Sequence, residues 1–286
     1  MKMKAAAFTN KMILVRGGGD LATGVIHKLH QSGYQVLILE CDRPSAIRRH
    51  VAFCEAVYDG TAEVEGVVCR RITENDIRTQ CRKCWAQGEI PLLTDTHGKH
   101  IRELEPEAVI DAILAKKNLG TSRDMAPLTV GLGPGFTAGE DVDYVIETMR
   151  GHTLGRVIRS GEPIPNTNIP GLIGGFTGER VLRAPDDGIF HQLADIGARV
   201  QEGDVVGEVN GKPMACTIAG VIRGMLADGT PVYKGMKSGD VDPRGELSYC
   251  YTASDKAIAI GGGVLQAILE YTGVLNAATG KNALGV

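Results

Sequence analysis

The chain has 286 residues, 43% hydrophobic and 23% charged, with 31 basic against 34 acidic side chains and a net charge of −3. That balance belongs to a globular chain of one to three domains, and without a Lys/Arg-rich stripe it argues against nucleic acid or an anionic membrane as partner. The opening residues 1–8 turn polar too early for a signal peptide, and the apolar window 257–269 is cut by Gly261, Gly262, Gly263 and Gln266, too short and broken to span a bilayer. A cytoplasmic chain is expected, its seven scattered cysteines reduced. The 38 glycines point to many tight turns and close backbone approaches.

In chain order, residues 12–16 read as a strand that flows into Gly17-Gly18-Gly19-Asp20-Leu21-Ala22-Thr23-Gly24 and a helix, and 35–40 as a second buried strand ending in Glu40. Gly17 to Ala22 fit G-x-G-x-x-A, a loop whose amides approach a pyrophosphate at a helix N-terminus. Glu40 stands where a ribose-hydroxyl partner is expected. The candidate ligand contacts here are Gly17, Gly18, Gly19, Asp20, Ala22, Thr23 and Glu40; the plainer alternative is a turn and a solvated acid. Strands at 66–70, 90–94 and 109–114, with a helix from Thr73 toward Gly88, extend a parallel Rossmann-like sheet that ends near Leu132.

Cys81 and Cys84 with His97 and His100 follow a zinc-ligand order, but both cysteines fall late in a helix with no finger pattern around them, so no metal is expected. Cys41, directly after Glu40, reads either as a reactive thiol or as an inert buried one. Residues 129–136 run from a strand into a second glycine loop, where Gly133 and Gly135 offer backbone N–H groups to an anion or simply form a crossover. Strands follow at 143–148 and 156–160, then a proline-rich loop at 161–171 suited to recognition.

From Ala184 the pattern repeats: Gly188, Gly197, Val200, Gly203 and Gly207 recur 32 residues later as Gly220, Gly229, Val232, Gly235 and Gly239. Such a duplication has the look of a lipoyl/biotinyl-type barrel-sandwich hybrid. Its hairpin would present Lys212, but Pro213 follows and the residues a ligase reads are missing, so no lipoyl or biotinyl group is expected. Ser254 caps a last helix that reaches Tyr271, and the polar tail from Asn276 is expected to fray. The fold class is thus α/β plus β: a Rossmann-like nucleotide-binding domain at 10–135, a β-rich connection at 136–180, the barrel-sandwich hybrid at 181–245 and a helical segment at 246–275.

Residues 15–24, 44–49 with 53–57, 111–118, 131–136 and 151–156 together resemble the accessory proteins of selenium-dependent molybdenum hydroxylases, a Rossmann-like family distantly related to xanthine dehydrogenase maturation factors. The resemblance spans roughly residues 11 to 274. It implies maturation of such a hydroxylase, with the hydroxylase or its selenium and cofactor supply proteins as partners, and a dinucleotide-type ligand, NAD(P) or molybdopterin dinucleotide. No catalytic residue transfers. Arg48, Arg49, Lys116 and Lys117 follow sheet strands and are placed to clamp phosphates, or are solvated charges. A free-standing NAD(P)-dependent oxidoreductase and a swinging-arm carrier using Lys212 are the alternatives, and a homo-oligomer stays open.

Overall fold

The computed structural model describes residues 12–275; the calls on the opening segment and on the tail from Asn276 lie outside them. Nine strands form the first sheet: β1 (Met12–Arg16), β2 (Gln35–Glu40), β3 (Thr61–Val64), β4 (Val67–Ile72), β5 (Ile90–Thr94), β6 (Ala108–Asp111), β7 (Leu128–Leu132), β8 (Tyr144–Ile146) and β9 (Val157–Ile158). The spatial order is β3-β4-β5-β2-β1-β6-β7-β8-β9. Helices α1 (Asp20–Gln31) and α3 (Ile77–Ala86), with the single turns α2 (Ala56–Asp59) and α4 (Ile101–Leu104), connect the strands.

The expected parallel sheet is corrected to a mixed one. Its centre is parallel, but β3 and β9 pair antiparallel with β4 and β8. The β3–β4 turn places Glu65 and Gly66 at φ of 48° and 78°, the paired left-handed geometry of a two-residue hairpin. The sheet also runs past Leu132, because β8 and β9 join the same ladder. In β1 and β2, alternate residues face opposite cores: Ile13, Val15, Val36 and Ile38 on one face, Leu14, Leu37 and Leu39 against α3 and α4 on the other. Double coverage is why these strands are continuous apolar runs. Helix α3 starts at Asp76, in the left-handed region at φ 50°, rather than at Thr73.

The strands of the second half are β10 (Val181–Arg183), β11 (Gly188–Gln192), β12 (Arg199–Val200), β13 (Val205–Val209), β14 (Lys212–Ala215), β15 (Gly220–Met225), β16 (Pro231–Val232) and β17 (Lys237–Asp242). They make two four-stranded antiparallel sheets, β10-β17-β15-β12 and β14-β13-β11-β16, around an apolar core of their own. The barrel-sandwich hybrid expected from the glycine repeat is therefore corrected to two open sheets. The added strands β10 and β14 leave each sheet with two free edges. Lys212 begins β14 and pairs with Asp186 at 2.8 Å, so it is held at the sheet edge instead of riding free on a carrier hairpin.

Helix α5 (Asp255–Tyr271) does not trail behind these sheets but returns to the first one, packing on α1. Contact is backbone to backbone: a Cβ on Gly24 would stand 2.5 Å from the Ala257 Cβ, and one on Gly261 2.8 Å from the Gly24 carbonyl oxygen. Ile260, Val264 and Ile268 then enter the core shared with Val25, Ile26 and Leu29, each fully buried aliphatic side chain contributing about 1.5–3 kcal/mol. Among the described residues no helix is long and apolar enough to cross a membrane. Gly24→Val forces α5 off α1 and is expected to destabilise the protein by about 1–3 kcal/mol, with a reduced urea midpoint at unchanged slope; a midpoint equal to wild type would show that the helix contact contributes little.

Candidate functional site

The chain leaves β1 toward β2 on one side and later adds β6 on the other, so β1/β6 is a topological switch point, where open α/β sheets bind ligands at their carboxyl ends. At that point lies a cleft of about 310 Å³, lined by Gly17, Gly19, Asp20, Glu40, Cys41, Arg43, Cys54 and 112–114 among others. Three consecutive glycines have three different environments. A Cβ on Gly17 (φ 97°) would meet the Ala112 carbonyl oxygen at 2.9 Å, and one on Gly18 the Cys54 amide nitrogen at 3.0 Å. One on Gly19 would meet nothing within 4 Å. The first two are therefore packed by the protein itself, and the third opens into the cleft.

Gly19 is also the N-cap of α1, and no side chain caps the helix. Its first amides have no partner inside the helix and, with the helix dipole, favour an anion. Thr23 is buried, its hydroxyl donating to the Gly18 carbonyl oxygen at 3.2 Å and accepting from the Phe53 amide at 3.0 Å, so it does not reach the cleft as a donor; the Ala22 side chain is buried in the core, although the residue lines the cleft through the first turn of α1. Glu40 accepts from the amides of Gly18 and Cys41, both at 2.7 Å. A carboxylate keeps spare lone pairs after two such bonds, so Glu40 both fixes the loop and can still accept from a ligand hydroxyl. Burial, with Glu40 beside it, pushes the Cys41 thiol up to about 11, which leaves it neutral and a poor nucleophile near neutral pH.

Arg48 and Arg49 are spent on the protein. Arg48 is buried and donates to the carbonyl oxygens of Tyr249 and Thr252 at 2.8 and 3.0 Å, with Asp20 3.6 Å away. Burial lowers its pKa, an effect Asp20 partly offsets. Arg49 donates to the Met225 carbonyl oxygen at 2.9 Å and to Gln192 at 3.1 Å. Together with the 2.7 Å bond from the Met225 amide to the Ile47 carbonyl oxygen, they dock the segment after β2 onto β15. Lys117 lies under the second glycine loop: a Cβ on Gly135 (φ 109°) would stand 2.6 Å from the Lys117 Cα. Gly133 (φ 71°) is filled the same way by Thr148, so neither loop glycine presents open space. Lys116 behaves differently. It takes φ 63°, its ammonium group makes no hydrogen bond or ion pair among the described residues, and burial together with Lys237 lowers its pKa.

Two polar groups at the same edge of the sheet escaped the sequence reading. Arg16, buried at the end of β1, donates to the Thr121 hydroxyl at 2.5 Å, and that hydroxyl donates to Asp111, at the end of β6, at 2.6 Å. Asp95, just past β5, accepts from the amides of Lys99 and His100 at 3.0 and 3.1 Å and contacts the His100 Nδ1 at 3.0 Å. Burial works to raise the Asp95 pKa, but these partners outweigh it and hold it below the usual range. The signal for both was a charge terminating an apolar strand. The zinc-like spacing instead falls apart: Cys81 and Cys84 are buried in the α3 core, His100 is committed to Asp95, and no three His, Cys, Asp or Glu converge among the described residues.

No family model matches the chain. A curated relative in Escherichia coli (strain K12), described as the uncharacterized protein YqeB, is 47% identical over 260 residues, 91% of this chain and 48% of that protein. The chain thus spans about half the length of the curated relative it matches. Among solved structures, the ectoine utilization protein EutE (DoeB) from Ruegeria pomeroyi is 11% identical with a TM-score of 0.25, covering 82% of this chain and 86% of that one. An aspartoacylase family protein from Mesorhizobium loti is 10% identical with a TM-score of 0.26, covering 81% and 84%. A succinylglutamate desuccinylase from Silicibacter sp. TM1040 is 13% identical with a TM-score of 0.24, covering 82% and 85%. Likeness at that level carries no argument about this chain's chemistry. The family expectation is corrected nonetheless: no family model matches, and none of these proteins is described as a molybdenum hydroxylase maturation factor, a nicotinamide-dependent oxidoreductase or a lipoyl carrier. Those assignments are set aside.

Two substitutions test the division of labour among these residues. Arg48→Ala strips the Tyr249 and Thr252 carbonyl groups and Asp20 of their buried partner and is expected to cost about 1–3 kcal/mol in denaturant unfolding; weakened ligand binding at full stability would return Arg48 to the cleft. Glu55, beside Arg49 on the far side of the docking segment, is raised to about 7 by burial, with Arg49 opposing and Asp59 adding to the shift. Its folded form holds a proton that the unfolded chain releases near 4.5, so stability falls as pH rises from there through 7. Because solvent screens its open side, Glu55→Gln is expected to add about 1 kcal/mol at pH 8 and nothing at pH 4, checked by urea unfolding at both values.

Proposed function

We propose that the first sheet and its glycine loop bind a nucleotide- or dinucleotide-type ligand, with a phosphate over the start of α1 and a ribose hydroxyl toward Glu40. The observation that carries the reading is Gly19: it is the one glycine of the triplet whose missing Cβ opens onto space, and it stands over a helix start that no side chain caps. A loop selected only to turn would not need its outermost residue bare at the point where the amides converge. The cleft volume of about 310 Å³ is at the lower end of small-molecule sites and suits one nucleotide half better than a whole dinucleotide, the remainder extending over Arg43 at the rim. The reading names a binding activity.

A nucleotide panel monitored by thermal unfolding tests it. A ligand held at 100 times its Kd adds about 2.7 kcal/mol, a clear upward shift in Tm. Gly19→Val, which fills the opening without touching the core, is expected to abolish the shift and leave the unliganded Tm near wild type. Absence of any nucleotide-dependent shift in the wild type at millimolar concentration overturns the proposal.

A further inference from the structure

On the other side of the loop after β6 lies a smaller polar cavity of about 120 Å³, walled by Lys116, Lys256, Arg150, Thr148 and the proline-rich loop at Asn166 and Thr167. We propose that this cavity is a second anion site, built for one phosphoryl group and independent of the nucleotide reading. Liquid water takes about 30 Å³ per molecule, so the space holds roughly four waters or one tetrahedral oxyanion, and excludes a nucleoside.

Its charge has no internal explanation. The ammonium groups of Lys116, Lys237 and Lys256 form no ion pair or hydrogen bond among the described residues; Lys237 depresses Lys116, and both depress Lys256, while Lys237 itself feels Asp240 and Asp20. Lys256, half-buried in the first turn of α5, is pushed down to about 8 by burial, then by Lys116 and Arg150. Lys116 and Lys237 keep much of their surface open to solvent, which limits the burial effect on both; of the two, Lys116 lines the cavity and stands at its mouth. A cluster of like charges is costly unless something neutralises it. Asp20 lies within range of Lys237 and Lys256 but is turned to Arg48. Asp255 is tied bidentately to Arg150 at 2.7 and 2.9 Å, which orients that guanidinium and leaves the two cavity lysines without a counter-ion.

The surrounding backbone is arranged to hold this geometry. Leu114 and Lys116 both adopt left-handed φ, 60° and 63°, a strain that persists only where packing imposes it, and the close approach of Gly135 to Lys117 does so. The proline-rich loop is anchored by the Ile164 amide, which donates to the buried Glu147 at 2.8 Å. Lys116 comes from the loop after β6, Lys256 from the last helix and the third wall from the loop after β9. Three segments far apart in sequence thus converge on one small volume with unopposed positive charge.

Isothermal titration calorimetry with inorganic phosphate, run on the wild type, Lys116→Gln/Lys256→Gln and Gly19→Val, tests the assignment. The wild type is expected to bind phosphate at millimolar concentration or tighter, the double variant to lose at least tenfold in affinity at the lysine site, and Gly19→Val, whatever it removes at the start of α1, to retain the lysine-dependent phosphate binding. Removing two repelling charges is also expected to raise the Tm of the double variant without ligand, so a misfolded variant is recognised by a fall. Lys116→Gln alone, at the mouth, serves if the pair fails to fold. Absence of phosphate binding to the wild type, equal affinity in the folded lysine variants, or loss of phosphate binding in Gly19→Val each overturns the proposal. Malonate bound in place of phosphate with the same lysine dependence overturns its phosphoryl specificity.

Discussion

The contact between α1 and α5 governs the architecture, because it is made at a distance that only hydrogen side chains allow. Gly24 and Gly261 let the two helix backbones touch, and dispersion between closely packed atoms on that scale is collectively large. Its topological effect is greater than its energy. By bringing residues 255–271 back to the first sheet, it turns both antiparallel sheets into an excursion between β9 and α5, whose ends must meet the same layer. It also delivers the first turn of α5, with Lys256, to the carboxyl edge of the parallel strands. Without that return, the lysine would be on the far side of the molecule from Lys116.

The second tie is the docking segment at 47–49. The backbone bond from the Met225 amide to the Ile47 carbonyl oxygen and the guanidinium groups of Arg48 and Arg49 join the segment after β2 to β15, an inner strand of one antiparallel sheet, and to the turn at 249–252 that follows that sheet. The excursion is thereby fixed at both ends, by α5 and by this segment. Charged donors bridging main-chain carbonyl oxygens make stronger bonds than neutral ones, and breaking them leaves buried acceptors unpaired. The position of the antiparallel sheets against the cleft is therefore set by the two arginines that, from sequence, looked like phosphate ligands.

That misreading shows where the sequence was informative. The βαβ unit with Gly17–Gly19 and Glu40 was legible because the turn, the helix and the acid lie within thirty residues and their spacing is set by local geometry. The glycine repeat was legible too, and its strands do fall 32 residues apart, β11 with β15, β12 with β16 and β13 with β17. What the repeat could not specify was how the units pair: open or closed sheets follow from added strands such as β10 and β14, whose apolar patterns are short and ordinary. Residues whose role depends on long-range partners were the least legible. Arg48 meets Tyr249 and Thr252 across some two hundred positions, and Lys116 meets Lys256 only through the return of α5. Arg16 and Asp95 were passed over because a charge at a strand end reads as solvated until burial is known.

The electrostatics of the carboxyl edge follow from combining these constraints. The glycine loop itself is rich in acid: Asp20 opens α1, and Glu40 accepts two loop amides. Alone, that pair would oppose an anionic ligand and offset much of the helix dipole. Arg48 neutralises Asp20 from within the protein, and the lysines arrive from the opposite side, on the loop after β6 and on α5, where the neighbouring acid, Asp255, is taken up by Arg150. On the two proposals, the edge is divided into a nearly balanced station at Gly19, where amides and shape would do the selecting, and a cationic station at Lys116 and Lys256, where charge would. A ligand that reached only the first would gain hydrogen bonds but leave the lysine repulsion in place. One carrying phosphoryl groups to both would also relieve that repulsion, which is the preference for a ligand with two anionic groups that the two proposals together imply.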